Sequence, residues 1–153
     1  YLLENFQDFD VVWSSPPCQS HSRMIRGGKN RKPRYPDLKL YEEIMLLQHS
    51  FKGLWVVENV VPYYEPLIPW TTKVGRHVFW ASSDVSVEDV ERPKGFINKT
   101  TKEGAEALKK WLGIEYEGTL YYDGNHCPAQ VLRNCVHPIV GQRVFDKLTE
   151  GTK

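Results

Sequence analysis

Two short stretches bring reactive groups to places where a fold can use them. Pro17-Cys18-Gln19 follows closely on a β-branched and aromatic run, and Glu58-Asn59 closes a second apolar run. If both runs are strands of one sheet, a thiol and a carboxylate arrive together at the carboxyl ends of two strands. That edge is where open α/β sheets bind their ligands. A cysteine thiolate can add covalently to an electrophilic carbon, and a carboxyl held at a strand end can move a proton. Taken singly, each residue has a plainer use, the cysteine as a small buried hydrophobe and the glutamate as a solvated strand end. His126, Cys127, Cys135 and His137 also have ligand chemistry. Their spacing fits no common zinc finger, so no metal is expected.

The elements that would position these groups read as follows. Residues 10–14 form a strand that stops at Ser15-Pro16-Pro17, because proline cannot donate to a sheet ladder. Residues 19–36 form a basic loop, with Arg23, Arg26, Lys29, Arg31, Lys32 and Arg34 around Gly27-Gly28. Leu40, Ile44 and Leu47 recur at helical spacing and predict a helix over 37–50 with Asp37 as its N-cap. Leu54-Trp55-Val56-Val57 is a continuous apolar run that suits a buried parallel strand. The proline- and tyrosine-bearing stretch 61–69 reads as loop, 77–81 as a strand and 82–101 as irregular. Helices are expected over 102–112, ending at Gly113, and over 138–148, with proline in the first turn, and 121–127 is expected to be loop. Strand, loop, helix, strand in that order argues for an α/β domain with at least partly parallel strands.

Composition sets the outer limits. The chain has 153 residues, of which 41% are hydrophobic and 25% charged, enough for one globular domain. A formal net charge of +1 gives no bulk electrostatic footprint, so any nucleic-acid contact must come from a local basic segment. Three widely spaced cysteines make no disulfide framework and suit a reducing cytosol. No apolar run approaches the roughly 20 residues needed to span a bilayer, so no membrane partner is expected. The first residues lack a signal-peptide pattern and an initiator methionine, so the chain is expected to begin mid-protein.

Four segments together resemble the DNA (cytosine-5) methyltransferase family. Ser15-Pro16-Pro17-Cys18-Gln19-Ser20-His21-Ser22 is similar to the family's Pro-Cys-Gln nucleophile motif and the start of its mobile loop, and Glu58-Asn59-Val60 to its Glu-Asn-Val motif. Gly75-Arg76-His77-Val78-Phe79 resembles its later arginine motif, with Thr72 and Val74 where the family has glutamine and a first arginine. Gln130-Val131-Leu132-Arg133-Asn134-Cys135-Val136-His137-Pro138 resembles its C-terminal Gly-Asn-Ala-Val-Pro element. Three-residue motifs are weak singly, but four in the right order make a strong pattern. Ser-Pro-Pro is also similar to the motif of the amino-methyltransferases, but they follow it with an aromatic residue where this chain has Cys18.

The resemblance implies a partial Rossmann-like fold of the kind that uses S-adenosylmethionine (SAM), an α/β structure with a mostly parallel sheet. It implies one incomplete catalytic domain over 1–153, with a short variable, target-recognition-like insertion at 82–129. Cys18 would be the nucleophile, Glu58 the proton donor and Arg76 a third catalytic residue. Asn59 would orient the site. Pro17, Leu40, Asn134 and Val136 would line the SAM pocket, and Gln19, Ser20, Ser22, Arg23 and Arg26 would contact double-stranded DNA carrying a flipped cytosine. The family's glycine-rich loop and acidic ribose ligand have no counterpart before Cys18. The expectation is therefore that the chain alone does not methylate DNA and needs an N-terminal segment or a complementing chain. It would otherwise expose a sheet edge prone to self-association. The implied setting is the cytoplasm of a prokaryote or a phage-infected cell, as in restriction-modification. The rival expectation is a DNA-binding remnant without turnover.

Overall fold

A computed structural model of the chain describes residues 1–26, 35–95, 102–120, 127 and 129–150. The described elements are α1 (Leu2–Asn5), a 3-10 turn (Phe6–Asp8), β1 (Val11–Ser14), a second 3-10 turn (Arg23–Arg26), α2 (Lys39–Ser50), β2 (Leu54–Val60), β3 (Thr72–Val74), β4 (His77–Ala81), α3 (Lys102–Leu112), α4 (Ala129–Asn134) and α5 (Pro138–Thr149). They fall into two compact units, one of residues 1–88 with 144–153 and one of residues 89–143.

The first unit is α/β, built on a four-stranded sheet in the order β1-β2-β4-β3. β1 and β2 run parallel, with Ser14 opposite Val57, and α2 lies between them in sequence. The other two pairings, β2 with β4 and β3 with β4, are antiparallel. The sheet is therefore mixed where the sequence led us to expect mostly parallel strands. The reason lies in the connections. Parallel neighbours need a crossover of a dozen or more residues, usually a helix. α2 supplies one between β1 and β2, whereas β2 to β4 passes through a helix-free loop and the short strand β3.

β2 also runs longer than expected. It continues through Val60, because β4 keeps pairing with it from Val56 to Val60. Glu58 and Asn59 are thus inside the strand, in its last turn of pleat, rather than beyond its end.

The pleat gives β2 two faces. On one, Trp55 and Val57 join Val12, Val78 and Trp80 against Leu40, Tyr41, Ile44, Leu47 and Phe51 from α2 and its C-cap, which together form the main core of this unit. The helix begins at Lys39 rather than at 37, although Asp37 still serves its start by accepting the Lys39 N–H at 3.1 Å. On the other face, Val56 and Phe79 are fully buried and Trp13 meets Phe79 edge to face at 6.2 Å.

Two glycines permit tight approaches. A Cβ on Gly53 would sit on the carbonyl oxygen of Asp10, which accepts the neighbouring Leu54 N–H at 3.0 Å. Gly75, with φ 57°, opens the two-residue turn joining β3 to β4. A left-handed residue at the first turn position matches the twist of such hairpins.

The second unit is helical where it is described. Ala105, Leu108 and Leu112 of α3 bury one stripe with Ala129 and Leu132 of α4. Gly113, at φ 67°, ends α3 as expected, with Ile114 N–H reaching back to the Lys109 carbonyl at 3.0 Å. No helix among the described residues is long and apolar enough to cross a membrane.

Candidate active site

The parallel register of β1 and β2 decides where the reactive groups meet. β1 ends at Ser14, opposite Val57, so the 15–18 segment leaves the sheet beside Glu58. Asn59, almost fully buried, fastens that segment down. Its Nδ2 donates to the Pro16 carbonyl at 3.0 Å and its Oδ1 accepts the Val60 N–H at 2.9 Å. After Cys18 the chain turns at once, with the amides of His21 and Ser22 both donating to the Cys18 carbonyl at 3.0 Å.

Cys18 is half-buried. Burial pushes its thiol up from the ordinary range, and the Glu58 carboxylate pushes in the same direction. Its own backbone amide and the Arg76 guanidinium pull weakly the other way. The Cys18 thiol thus feels the charge of both other expected catalytic residues. Arg76 owes its place to the hairpin, for it is the second turn residue after Gly75, and its carbonyl accepts the Val61 N–H at 3.0 Å. In the free protein the thiol rests protonated. A neutral Glu58 would remove the Coulombic part of that upward push and ease ionisation of the thiol.

The residue that sequence reasoning missed is His77. Its Nδ1 lies 2.5 Å from Glu58 Oε1, and the two side chains are only 9% and 10% exposed. In the β2–β4 register Glu58 faces Phe79, so His77, two residues away on the same face, is its diagonal neighbour. Only a correct register reveals this contact, because 19 positions separate the two residues in sequence.

A second missed group anchors the base of the loop. His21 is fully buried, and its Nδ1 lies 2.6 Å from the Tyr64 hydroxyl, which accepts from Tyr41 at 3.2 Å. Burial lowers the basicity of His21 and raises Tyr64 well above the usual phenol range, the Tyr41 hydrogen bond adding to the latter. A neutral imidazole accepting from Tyr64 satisfies all three groups.

The remaining expected residues are spread more widely. Gln19 and Arg23 are exposed. Ser20 Oγ accepts the Asp37 N–H at 3.1 Å, and Ser22 Oγ accepts the Met24 N–H at 3.2 Å while its backbone bridges to Pro62. Arg26 closes the second 3-10 turn, and Lys29, Arg31, Lys32 and Arg34 lie outside the described residues.

The residues expected to hold SAM fall in both units. Pro17 is exposed, but Leu40 is spent in the core under α2 and presents no surface. Asn134, exposed, and Val136, half-buried, belong to the second unit. Two cavities of the first unit, of about 450 and 550 Å³, are lined at one end by Gly53 with Trp55 and Trp80 and at the other by Val11 with Leu54. Both sit at the amino-terminal end of β2, away from Cys18 and Glu58.

His137 turns out to have both ring nitrogens engaged, Nε2 with the Trp111 carbonyl at 2.9 Å and Nδ1 with the Ile139 N–H at 3.2 Å. Cys127 accepts from Arg133 at 3.2 Å and Cys135 donates to the Val131 carbonyl at 3.3 Å. No protein-family model, curated protein or solved structure matches the chain.

Proposed function

We propose that the chain is the pyrimidine-activating part of a DNA (cytosine-5) methyltransferase. The observation that carries the reading is the convergence of Cys18, Glu58 and Arg76 at the carboxyl ends of the parallel pair β1 and β2, with the acidity of Cys18 responding to both of the others. The order and residue types of the Pro-Cys-Gln and Glu-Asn-Val stretches support it.

On this reading the Cys18 thiolate forms a bond to C6 of a cytosine turned out of the stack. The C5=C6 pair shifts to join C5 with C4, and the C4=N3 pair moves onto N3, which takes a proton from Glu58. C5 is then an enamine carbon able to attack an electrophile. Loss of the C5 hydrogen as a proton, return of the N3 proton and departure of the thiolate restore the ring. Methylation takes its methyl group from SAM. Because Leu40 lies in the core rather than at a pocket wall, the reading assigns the rest of the SAM site to an additional segment or a complementing chain. The edge strand β1, bonded on one side only among the described strands, is where further strands would join. Isothermal titration of SAM into the isolated chain should accordingly show weak binding or none.

The proposal is tested without SAM. The chain, mixed with duplex DNA carrying tritium at cytosine C5, should release tritium to water, and Cys18→Ala should abolish release. In the complete enzyme the same substitution should abolish methyl transfer and trapping by 5-fluorocytosine DNA. Release that survives the loss of Cys18, or no release from DNA that the chain binds, would sink the reading. An amino-methyltransferase would keep its activity without Cys18.

A further inference from the structure

Glu58 is held in a way that its catalytic assignment does not require. One oxygen, Oε1, is taken by His77 Nδ1 inside a nine-tenths-buried pair. The other, Oε2, has no hydrogen bond to a described residue. Every fully buried side-chain oxygen or nitrogen among those residues has a partner, so Oε2 opens to the surface. The Glu58 carboxylate raises the Cys18 thiol in the loop after β1, and Arg76 stands immediately before His77 at the hairpin tip.

We propose that His77 is the positioning and selectivity residue of this site, because its Nδ1–H fixes Oε1 as the acceptor and leaves the carboxyl proton to Oε2. The inference rests on the reading above and extends it to the choice of base. An oxygen already accepting a hydrogen bond is the poorer place for a proton, so a protonated Glu58 presents an O–H outward from Oε2 and a lone pair from Oε1. That pattern complements a pyrimidine edge with a ring-nitrogen acceptor beside an exocyclic amine. It opposes an edge with a ring N–H beside a carbonyl, which would set one N–H against the O–H. The site therefore takes a cytosine-type edge and rejects a uracil-type edge. Sites that pair a ligand's polar edge reject a mismatched one strongly, by as much as about 10⁴-fold.

The test uses the full chain with two DNA substrates, one tritiated at C5 of cytosine and one at C5 of uracil, and reads the ratio of the two release rates. Partial misfolding would lower both rates and leave the ratio in place. His77→Phe keeps a ring and removes the donor. It should lower cytosine release by about 10- to 100-fold, the usual effect of losing the partner that orients a site residue. It should also reduce the cytosine-to-uracil ratio at least tenfold. His77→Asn, whose amide can donate to Oε1, should hold the ratio near that of the unaltered chain and remains informative if His77→Phe does not fold. A ratio unmoved by His77→Phe, or one that collapses equally in His77→Asn, overturns the role of His77 while tritium release still upholds the wider reading. No release by the unaltered chain from either substrate overturns the wider reading itself and this inference with it.

Discussion

Glu58 and Asn59 are neighbours in the chain, yet the pleat of β2 sends them to opposite faces and to different kinds of work. Asn59 shares the face that α2 covers. Its amide nitrogen holds the Pro16 carbonyl and its oxygen holds the Val60 N–H. Glu58 has one oxygen engaged by His77 and one open. The closed face sets positions, whereas the other face ends in a group with chemistry in reserve. A strand buried on both sides can do both because adjacent residues answer to different surroundings.

If that contrast is right, damage should separate by face. The largest effect belongs to Glu58→Gln in the complete enzyme, which keeps the shape but cannot give up a proton to N3. Turnover should fall about 10²- to 10⁴-fold, with DNA affinity nearly unchanged, as measured by methyl-transfer kinetics beside equilibrium binding. An equal loss in binding would put Glu58 among the structural residues.

Asn59→Ala tests the closed face. It strips the partly buried Pro16 carbonyl of its donor and the buried Val60 N–H of its side-chain acceptor, which should cost about 1–3 kcal/mol. The cost should appear as a lower urea midpoint. Turnover should suffer only as far as the Cys18 segment loosens. A turnover loss matching that of Glu58→Gln, with stability intact, would erase the distinction between the two neighbours.

The smallest effect concerns pH. His21 belongs to the closed side through Tyr64 and Tyr41, the latter packed in the α2 core. Burial lowers its basicity in the folded protein, against a weaker upward pull from Asp37. On acidification the unfolded chain therefore takes up this proton first. The stability owed to neutral His21 is complete above about pH 6.5 and drains away as the pH falls below it. His21→Gln should flatten that part of the profile in urea titrations between pH 7 and 5. An unchanged slope would place the acid sensitivity elsewhere.

Much of this arrangement could be read from the chain alone, and the parts that could not share a cause. The helices over 37–50 and 102–112 and the strand at 77–81 were placed close to where they lie, the helices each burying an apolar stripe and the strand forming a short apolar run buried on both faces. Cys18 and Glu58 stood out because their residue types sit beside strand ends, and Arg76 only through the resemblance carried by residues 75–79. His77 escaped notice since its partner is fixed by the antiparallel register of β2 and β4, a long-range property to which residues 54–60 and 77–81 contribute only jointly. β3, with three residues, is too short for alternation to show. Leu40 was expected at a cofactor wall, but its spacing with Ile44 and Leu47 already assigned it to the core, where it lies. The same periodicity that predicted the helix argued against that surface role.

The contact between Gly53 and the Asp10 carbonyl has a consequence for inheritance. Since side chains alternate along a strand, sliding β2 by one residue against β1 would bring Asn59 to the place of Glu58 and turn the carboxyl away from Cys18. Only a residue without a side chain lets the two strands close at their first rung, where Leu54 N–H meets Asp10. A change of Gly53 to alanine would touch no reactive atom, yet it would wedge the pair open at its start and set the thiol and the carboxyl at different heights. The chemistry at one end of the sheet thus constrains which mutations the opposite end can tolerate.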